Sequence, residues 1–358
     1  MSGRAPVDPT ADLPFALGGP AASGVLRRAP EDFEVEEVTG FEPSGSGEHV
    51  WLVVRKRGAN TLWVARQLAR LAGVRPDAVG FAGLKDRAAV TTQAFTVHLP
   101  GRPDPDWSSL DGDEIRVLAV QRHHRKLRRG TLRGNRFRIR VAALRGDALA
   151  VDGCLGKMAA AGVPNYFGPQ RFGRDGGNLV LAESLLGGGR RLAREQRGLA
   201  LSAARSWLFN GVLAERVRDA SWGRGLPGDV MQLDGRRALF RIDEPDAETE
   251  RRCAAGDIHP TGPLPGRDAP SAVVPGGTTA RLEEECLGRH AGWVPGLFRQ
   301  GLESDRRALR VMPRELAWEW DGDALELSFF LTAGAFATAL LRELVRADGA
   351  TSADDDLA

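Results

Sequence analysis

The chain has 358 residues, 42% apolar and 27% charged, with 49 basic against 47 acidic side chains. That balance fits a soluble globular protein long enough for two domains, and it gives no overall basic signature of a nucleic-acid partner. Only four of the basic residues are lysines (Lys56, Lys85, Lys126, Lys157), and one tyrosine, Tyr166, stands against 14 phenylalanines and 8 tryptophans. A lysine or tyrosine inside a motif is therefore harder to dismiss as background. No apolar run approaches the ~18–20 residues of a membrane-spanning helix. The first residues carry acids and prolines where a signal peptide would carry its apolar stretch. Three widely spaced cysteines (Cys154, Cys253, Cys286) fit reduced, buried thiols in a cytosol. The six histidines read as mostly scattered, and CxxC and HExxH are absent, which argues against a structural zinc site. The glycine clusters at 187–189 and 276–277 lack the lysine of a phosphate-cradling loop.

In chain order, residues 1–23 read as a disordered leader of Pro, Ala, Gly and Asp. HVWLVV at 49–54 is an expected strand. Asn60 then offers an N-cap to TLWVARQLARLA, where Leu62, Ala65, Leu68, Ala69 and Ala72 are expected to share a face, and Gly73 supplies the stop. FAGLKDR follows as a loop, and AVTTQAFTVHL as a strand. In GNRFRIRVA at 134–142, Phe137, Ile139 and Val141 alternate with Arg136, Arg138 and Arg140, predicting an apolar face inward and an arginine row outward. The middle of the chain predicts a helix around LSAARSWLFNGVLAERV and loop over the Pro/Gly-rich stretch 260–277, including HPTGPLPG. LELSFFL repeats the alternation and feeds a helix in AGAFATALLRELVRA, with Phe336, Leu340 and Leu344 as its stripe. Alternating strands interleaved with helices predict an α+β core built on a mixed, largely antiparallel sheet. Residues 161–310 are expected to form a domain inserted into a discontinuous core of 24–160 and 311–348, with 349–358 as a flexible acidic tail.

Two stretches could carry chemistry. From Arg116 to Arg140 there are ten Lys or Arg and no acid, with His123 and His124 among them. Arginine forks match phosphate geometry, so Arg122, Arg125, Lys126, Arg128 and Arg129 are candidate contacts to an RNA backbone; the competing reading is a solvated strand edge. In Gly83-Leu84-Lys85-Asp86-Arg87, Asp86 lies between two basic residues, an arrangement suited to an ionised nucleophile or base. An ordinary charged turn has the same composition. Phe33, Phe137 and Phe336 are either core residues or walls for an extruded base, and Asn135 is placed to read a base's polar edge.

AGLKDRAAVTTQAFTV at 82–97 resembles the active-site motif of the TruD family of tRNA pseudouridine synthases. PEDFEVEE (30–37), GNRFRI (134–139), GVPNYFGPQRFG (162–173), LSAARSWLFN (201–210), HPTGPLPG (259–266) and AGAFATALLREL (333–344) resemble further family segments in the same order. The resemblance spans about 24–348 and departs from the family pattern at Thr332 and loosely over 267–277. It implies a pseudouridine-synthase core with an inserted TruD-specific α/β domain, acting without a cofactor or metal on tRNA, at uridine 13. It implies that Asp86 is the catalytic aspartate and that Lys85, Asn135, Phe33, Phe137 and Phe336 bind the substrate. Lys85 could pair with Asp86 or hold a phosphate, and Asp86 could attack C1′ or abstract a sugar proton. The same chemistry on another RNA, and a silent RNA-binding protein of this fold, are the alternatives. A cytoplasmic location and a monomer without a protein partner are the default expectations.

Overall fold

The computed structural model describes residues 8–189 and 191–348. The tail expected over 349–358 lies outside them. In chain order the elements are β1 (Ala22–Leu26), β2 (Phe33–Val38), β3 (His49–Arg57), α1 (Thr61–Ala72), β4 (Val79–Phe81), β5 (Val90–His98), β6 (Ile115–His123) and β7 (Gly134–Gly146). There follow α2 (Ala148–Ala161), β8 (Val163–Pro164), α3 (Gly177–Leu186), α4 (Arg194–Arg218), β9 (Val230–Leu233), β10 (Leu239–Arg241), α5 (Ala247–Ala254) and β11 (Ile258–Leu264). The chain continues through α6 (Gly277–Gly288), α7 (Trp293–Arg299), β12 (Asp305–Ala308), β13 (Arg310–Val311), β14 (Arg314–Asp321), β15 (Ala324–Thr332) and α8 (Ala337–Leu344).

The described residues fall into two compact bodies. The sheet body comprises 22–146, 313–334 and 346–348; the middle body comprises 8–21, 147–312 and 335–345. The segments 147–160 and 335–345 thus group with the middle of the chain, whereas the expected core was 24–160 and 311–348. In the middle body, the Cys154 thiol of α2 lies 3.6 Å from the Glu343 carbonyl of α8.

The sheet body is built on strands in the order β14–β15–β7–β2–β5–β3–β6. Of these neighbours only β2 and β5 run parallel, which agrees with the mixed, largely antiparallel sheet expected from the alternation. β7 is long enough to pair with β15, β2 and β1 in turn. Its register sets Phe137 opposite Val35 and Phe329, so one face carries Phe33, Val35, Phe137, Ile139, Leu327 and Phe329, all buried. The other face carries the arginine row, met across the strands by Glu36, Glu315, Glu326 and Asp321.

Helix α1 covers the β3–β5 part of the sheet. Asn60 accepts the Trp63 amide at 2.7 Å as N-cap, and Gly73 takes the left-handed conformation (φ +61°) that ends the helix. Val64, Ala65, Leu68, Ala69 and Ala72 pack on Val50, Leu52, Val54, Phe95 and Val97. Leu62, expected on this face, is exposed instead. The buried stripe is 61-64-65-68-69-72, and Leu62 lies a quarter-turn off it.

In the middle body, α4 forms the spine against which Tyr166, Phe167, Phe172, Trp222 and Leu309 pack. A second sheet has the order β10–β9–β11–β12. HPTGPLPG, expected as loop, is strand β11. Its first half pairs with β9 and its second with β12, so each proline needs a ladder partner on one side only.

Two other expectations change. Residues 8–21 of the supposed leader are docked: Leu13 and Ala16 pack on the middle-body core, and the amides of Ala16 and Leu17 donate to the buried Glu343 carboxylate. Phe336 is not part of a helical stripe. It is the extended N-cap residue of α8, which begins at Ala337, while Leu340 and Leu344 do lie buried.

Candidate active site

The segment 82–89 joins β4 to β5, and side chains from three neighbouring elements hold its backbone. Lys56 of β3 is 1% exposed, and its ammonium donates to the carbonyls of Ala59 (2.6 Å) and Asp86 (2.7 Å). The hydroxyl of Thr61, first residue of α1, accepts the Lys85 amide at 3.0 Å and donates to Gln93 Oε1 at 2.9 Å. Gln93 of β5 in turn donates its amide to the Gly83 carbonyl at 3.2 Å. Buried polar groups persist where they are fully paired. Here the pairing fixes a loop that would otherwise be the most adaptable part of the sheet edge.

The Asp86 side chain is 35% exposed, and its Oδ2 accepts from Arg27 Nη2 at 2.6 Å. Arg27 follows β1 in the left-handed region (φ +56°), which costs a non-glycine residue about 1–2 kcal/mol. Its guanidinium is 16% exposed and lies 4.1 Å from the centroid of the Phe33 ring. The ring and the carboxylate together leave Arg27 little freedom, so one carboxylate oxygen is pinned. No other side chain among the described residues donates to this carboxylate.

Lys85 does not pair with Asp86. Its Nζ sits 2.6 Å from Glu37 Oε2, in an ion pair whose partners are 6% and 0% exposed. Glu37 follows Phe33 and Val35 on the inward face of β2 and stands opposite Asn135 of β7. Asn135 Oδ1 is buried without a hydrogen-bond partner. The apolar face thus ends in a polar patch of Glu37, Lys85 and Asn135, whose orphaned acceptor is free to receive an N–H donor.

Phe33 and Phe137 are both buried and meet edge to face at 6.1 Å; Phe137 stacks on Phe329 at 5.3 Å. Asp86, Lys85, Asn135, Phe33 and Phe137 therefore all belong to the sheet body and are linked through Arg27 and Glu37. Phe336 belongs to the middle body, half-buried at 6.0 Å from Phe167. Sequence reasoning missed Arg27, Glu37, Lys56, Thr61, Gln93 and Phe329. For Glu37 and Asn135 a signal existed, because each puts a polar residue at the end of an apolar alternation. For Lys56 the rarity of lysine was the clue. Arg27 left no local signal.

The basic run divides. Arg125, Lys126, Arg128 and Arg129 are exposed, with Arg125 over Phe41 and Arg129 over Phe81. Arg122 is committed to the segment 99–104 instead, donating to the carbonyls of Leu99 and Arg102 and pairing with Asp104. The histidines are less scattered than the sequence suggested: His49 stands opposite both His98 and His123, and the His123 ring lies 4.5 Å from that of His124. His123 Nδ1 accepts the Ser44 amide at 3.2 Å. Burial, then the neighbouring His124 and Arg125, pull its pKa below the usual imidazole range; burial and His98 do the same to His49. Among the described residues no group of three or more His, Cys, Asp or Glu is arranged to hold a metal, and no helix is long and apolar enough to cross a membrane.

Comparison with known proteins places this geometry in a family context. The model of the family described as tRNA pseudouridine synthase D (TruD) matches residues 13–188 and 177–344. The chain is 50% identical over 339 residues to the tRNA pseudouridine synthase D of Methylococcus capsulatus, covering 94% of this chain and 95% of that protein. It is 48% identical over 339 residues to the tRNA pseudouridine synthase D of Nitrosococcus oceani, covering 93% and 94%. The crystal structure of a putative tRNA pseudouridine synthase D from Methanosarcina mazei shares the fold, with a TM-score of 0.69 at 22% identity over 92% of this chain and 95% of that one.

Proposed function

This chain belongs to the TruD family, and we propose that it isomerises uridine to pseudouridine in tRNA, at position 13, with Asp86 as the catalytic carboxylate. The observation that carries the assignment is the state of Asp86: one oxygen fixed by Arg27 at 2.6 Å, the other unclaimed by any described side chain, on a half-exposed loop whose backbone is clamped. Catalytic groups need that combination of rigidity and access.

The reaction breaks the N1–C1′ bond, turns the base, joins C5 to C1′, releases the C5 proton and protonates N1. It is an internal rearrangement without net redox change, so its atoms balance without a cofactor. An ionised carboxylate at the ribose serves either opening step, attack on C1′ or removal of a sugar proton. Uracil departs as a stabilised anion, so a second carboxylate acid, as used by retaining glycosidases, is not required. Arg27 acts as a positioning residue by fixing the carboxylate. Asn135 Oδ1 supplies an acceptor for an imino N–H of the turning base, and Phe33 and Phe137 supply apolar surface that disfavours water near the detached base. Lys85 acts through Glu37 and the loop instead of touching substrate.

A stacked uridine hides C1′ and C5, so extruding it costs a few kcal/mol, to be offset by contacts to the surrounding strand. Arg125, Lys126, Arg128 and Arg129 present exposed cations for that purpose. Three buried cysteines agree with a reducing cytoplasm as the site of action. The test is an unmodified tRNA transcript incubated with the protein and mapped for pseudouridine by chemical labelling. Product from the native chain and none from Asp86→Asn is expected. Full turnover by Asp86→Ala would refute the assignment.

A further inference from the structure

The middle body holds a group of residues that the sheet-body chemistry does not use. Arg171, in the 3-10 turn Pro169–Phe172, and Arg307 of β12 direct their guanidiniums onto the same two rings. Arg307 lies 4.1 Å and Arg171 5.2 Å from the Phe167 centroid, and each lies 5.7 Å from the centroid of the half-buried Phe336.

The platform beneath them is rigid. Both backbone groups of Phe167 are paired with the buried Asn210 side chain, at 3.0 Å and 2.9 Å. Arg307 donates to the carbonyl and the side-chain oxygen of Asn165, whose own amide group is held by Ala308. Arg171 donates to the Ser202 hydroxyl of α4 at 2.9 Å and makes no ion pair among the described residues. Two like charges are thus held near each other on aromatic surface, a costly arrangement in the absence of an anion. Burial, and then the neighbouring Arg171, bring the Arg307 guanidinium down to about 9.

We propose that Arg171 and Arg307 form a clamp for one phosphodiester of the RNA substrate, beside the Phe336 ring. Planar guanidinium forks match the paired oxygens of a phosphate, and a phosphate between them would relieve their mutual repulsion. The inference rests on the reading of the chain as an RNA-modifying enzyme and adds a specific backbone contact from the middle body. That contact was not among the exposed cations of the basic run.

The test uses the full chain and the Arg171→Gln variant, since Arg307 also braces Asn165. RNA affinity is measured between about 50 and 200 mM salt, where losing one phosphate contact should lower the slope of log affinity against log salt by roughly 0.7–0.9. An affinity loss of about tenfold is expected at the low-salt end. In parallel, single methylphosphonate linkages are placed through the target arm of the RNA. The native chain should lose affinity at one linkage, and Arg171→Gln should be indifferent to that same linkage. Arg171→Lys should keep the salt slope while recovering only part of the affinity. Thermal unfolding of each variant establishes that it is folded. An unchanged slope, or an undiminished response of Arg171→Gln at every linkage, overturns the clamp. Stabilisation by inorganic phosphate that depends on Arg171, without any sensitive linkage, would mark a free-anion site and also overturn it. If the native chain modifies RNA while these outcomes fail, the clamp alone is wrong; if the native chain neither binds nor modifies RNA, the functional reading falls with it.

Discussion

Replacing Lys85 with methionine tests how the catalytic loop is anchored. Lys85 and Glu37 are 2.6 Å apart with almost no exposure. At an effective dielectric of about 20 their gross attraction is about 6 kcal/mol, much of it offset by the desolvation of both groups. Removing only the cation strands a carboxylate on a central strand, where the backbone cannot move it to water, and costs about 3–5 kcal/mol. Glu37→Gln is milder, about 1–2 kcal/mol, because the loop carrying Lys85 can shift and an amide oxygen still accepts the buried hydrogen bonds. The double variant should return most of the stability lost by Lys85→Met. Urea unfolding of the three variants against the native chain, followed by tryptophan fluorescence, gives the cycle. A Lys85→Met loss below about 1 kcal/mol, or a double variant no better than that single one, would refute the reasoning.

Further expectations concern the same body and the thiols. Arg27→Ala should lower turnover about 100-fold with little change in RNA affinity, since it frees the carboxylate without removing an RNA contact; an equal loss in both would contradict a positioning role. His123 and His49 have pKa values depressed in the folded state, so the unfolded chain binds more protons as pH falls below the free imidazole value. Stability should therefore drop on acidification through about pH 6.5, by up to ~1.4 kcal/mol per pH unit for each histidine, and His123→Gln should flatten that slope. An unaltered slope in urea titrations would contradict it. Burial raises all three thiols, Cys286 to about 11, so a disulfide reagent should label them only as fast as the chain opens. Immediate stoichiometric labelling of the native protein would count against their buried setting.

How much was legible depended on whether a residue's role is local. The alternation in 134–142 and the Asn60-to-Gly73 helix were readable because cap, period and stop all lie within one segment. Asp86 was legible as part of a charged loop motif. Its partner was not, because Arg27 is 59 positions away and reaches Asp86 from the end of another strand. Lys85 looked like the natural neighbour, but adjacent residues in an extended loop point to different sides, and register brought Glu37 to it instead. The prolines of β11 concealed a strand whose halves pair with different neighbours. The docked segment 8–21 was concealed by its composition. It is held by backbone amides donating to Glu343, an interaction available to any sequence that can reach it.

The measurement that bears most directly on the whole account is pseudouridine formation in an unmodified tRNA transcript, followed by site-specific labelling in single turnover with excess protein. The native chain should convert one uridine per transcript, and Asp86→Asn should bind the same RNA yet convert none. Conversion at an undiminished rate by Asp86→Asn would contradict the central assignment.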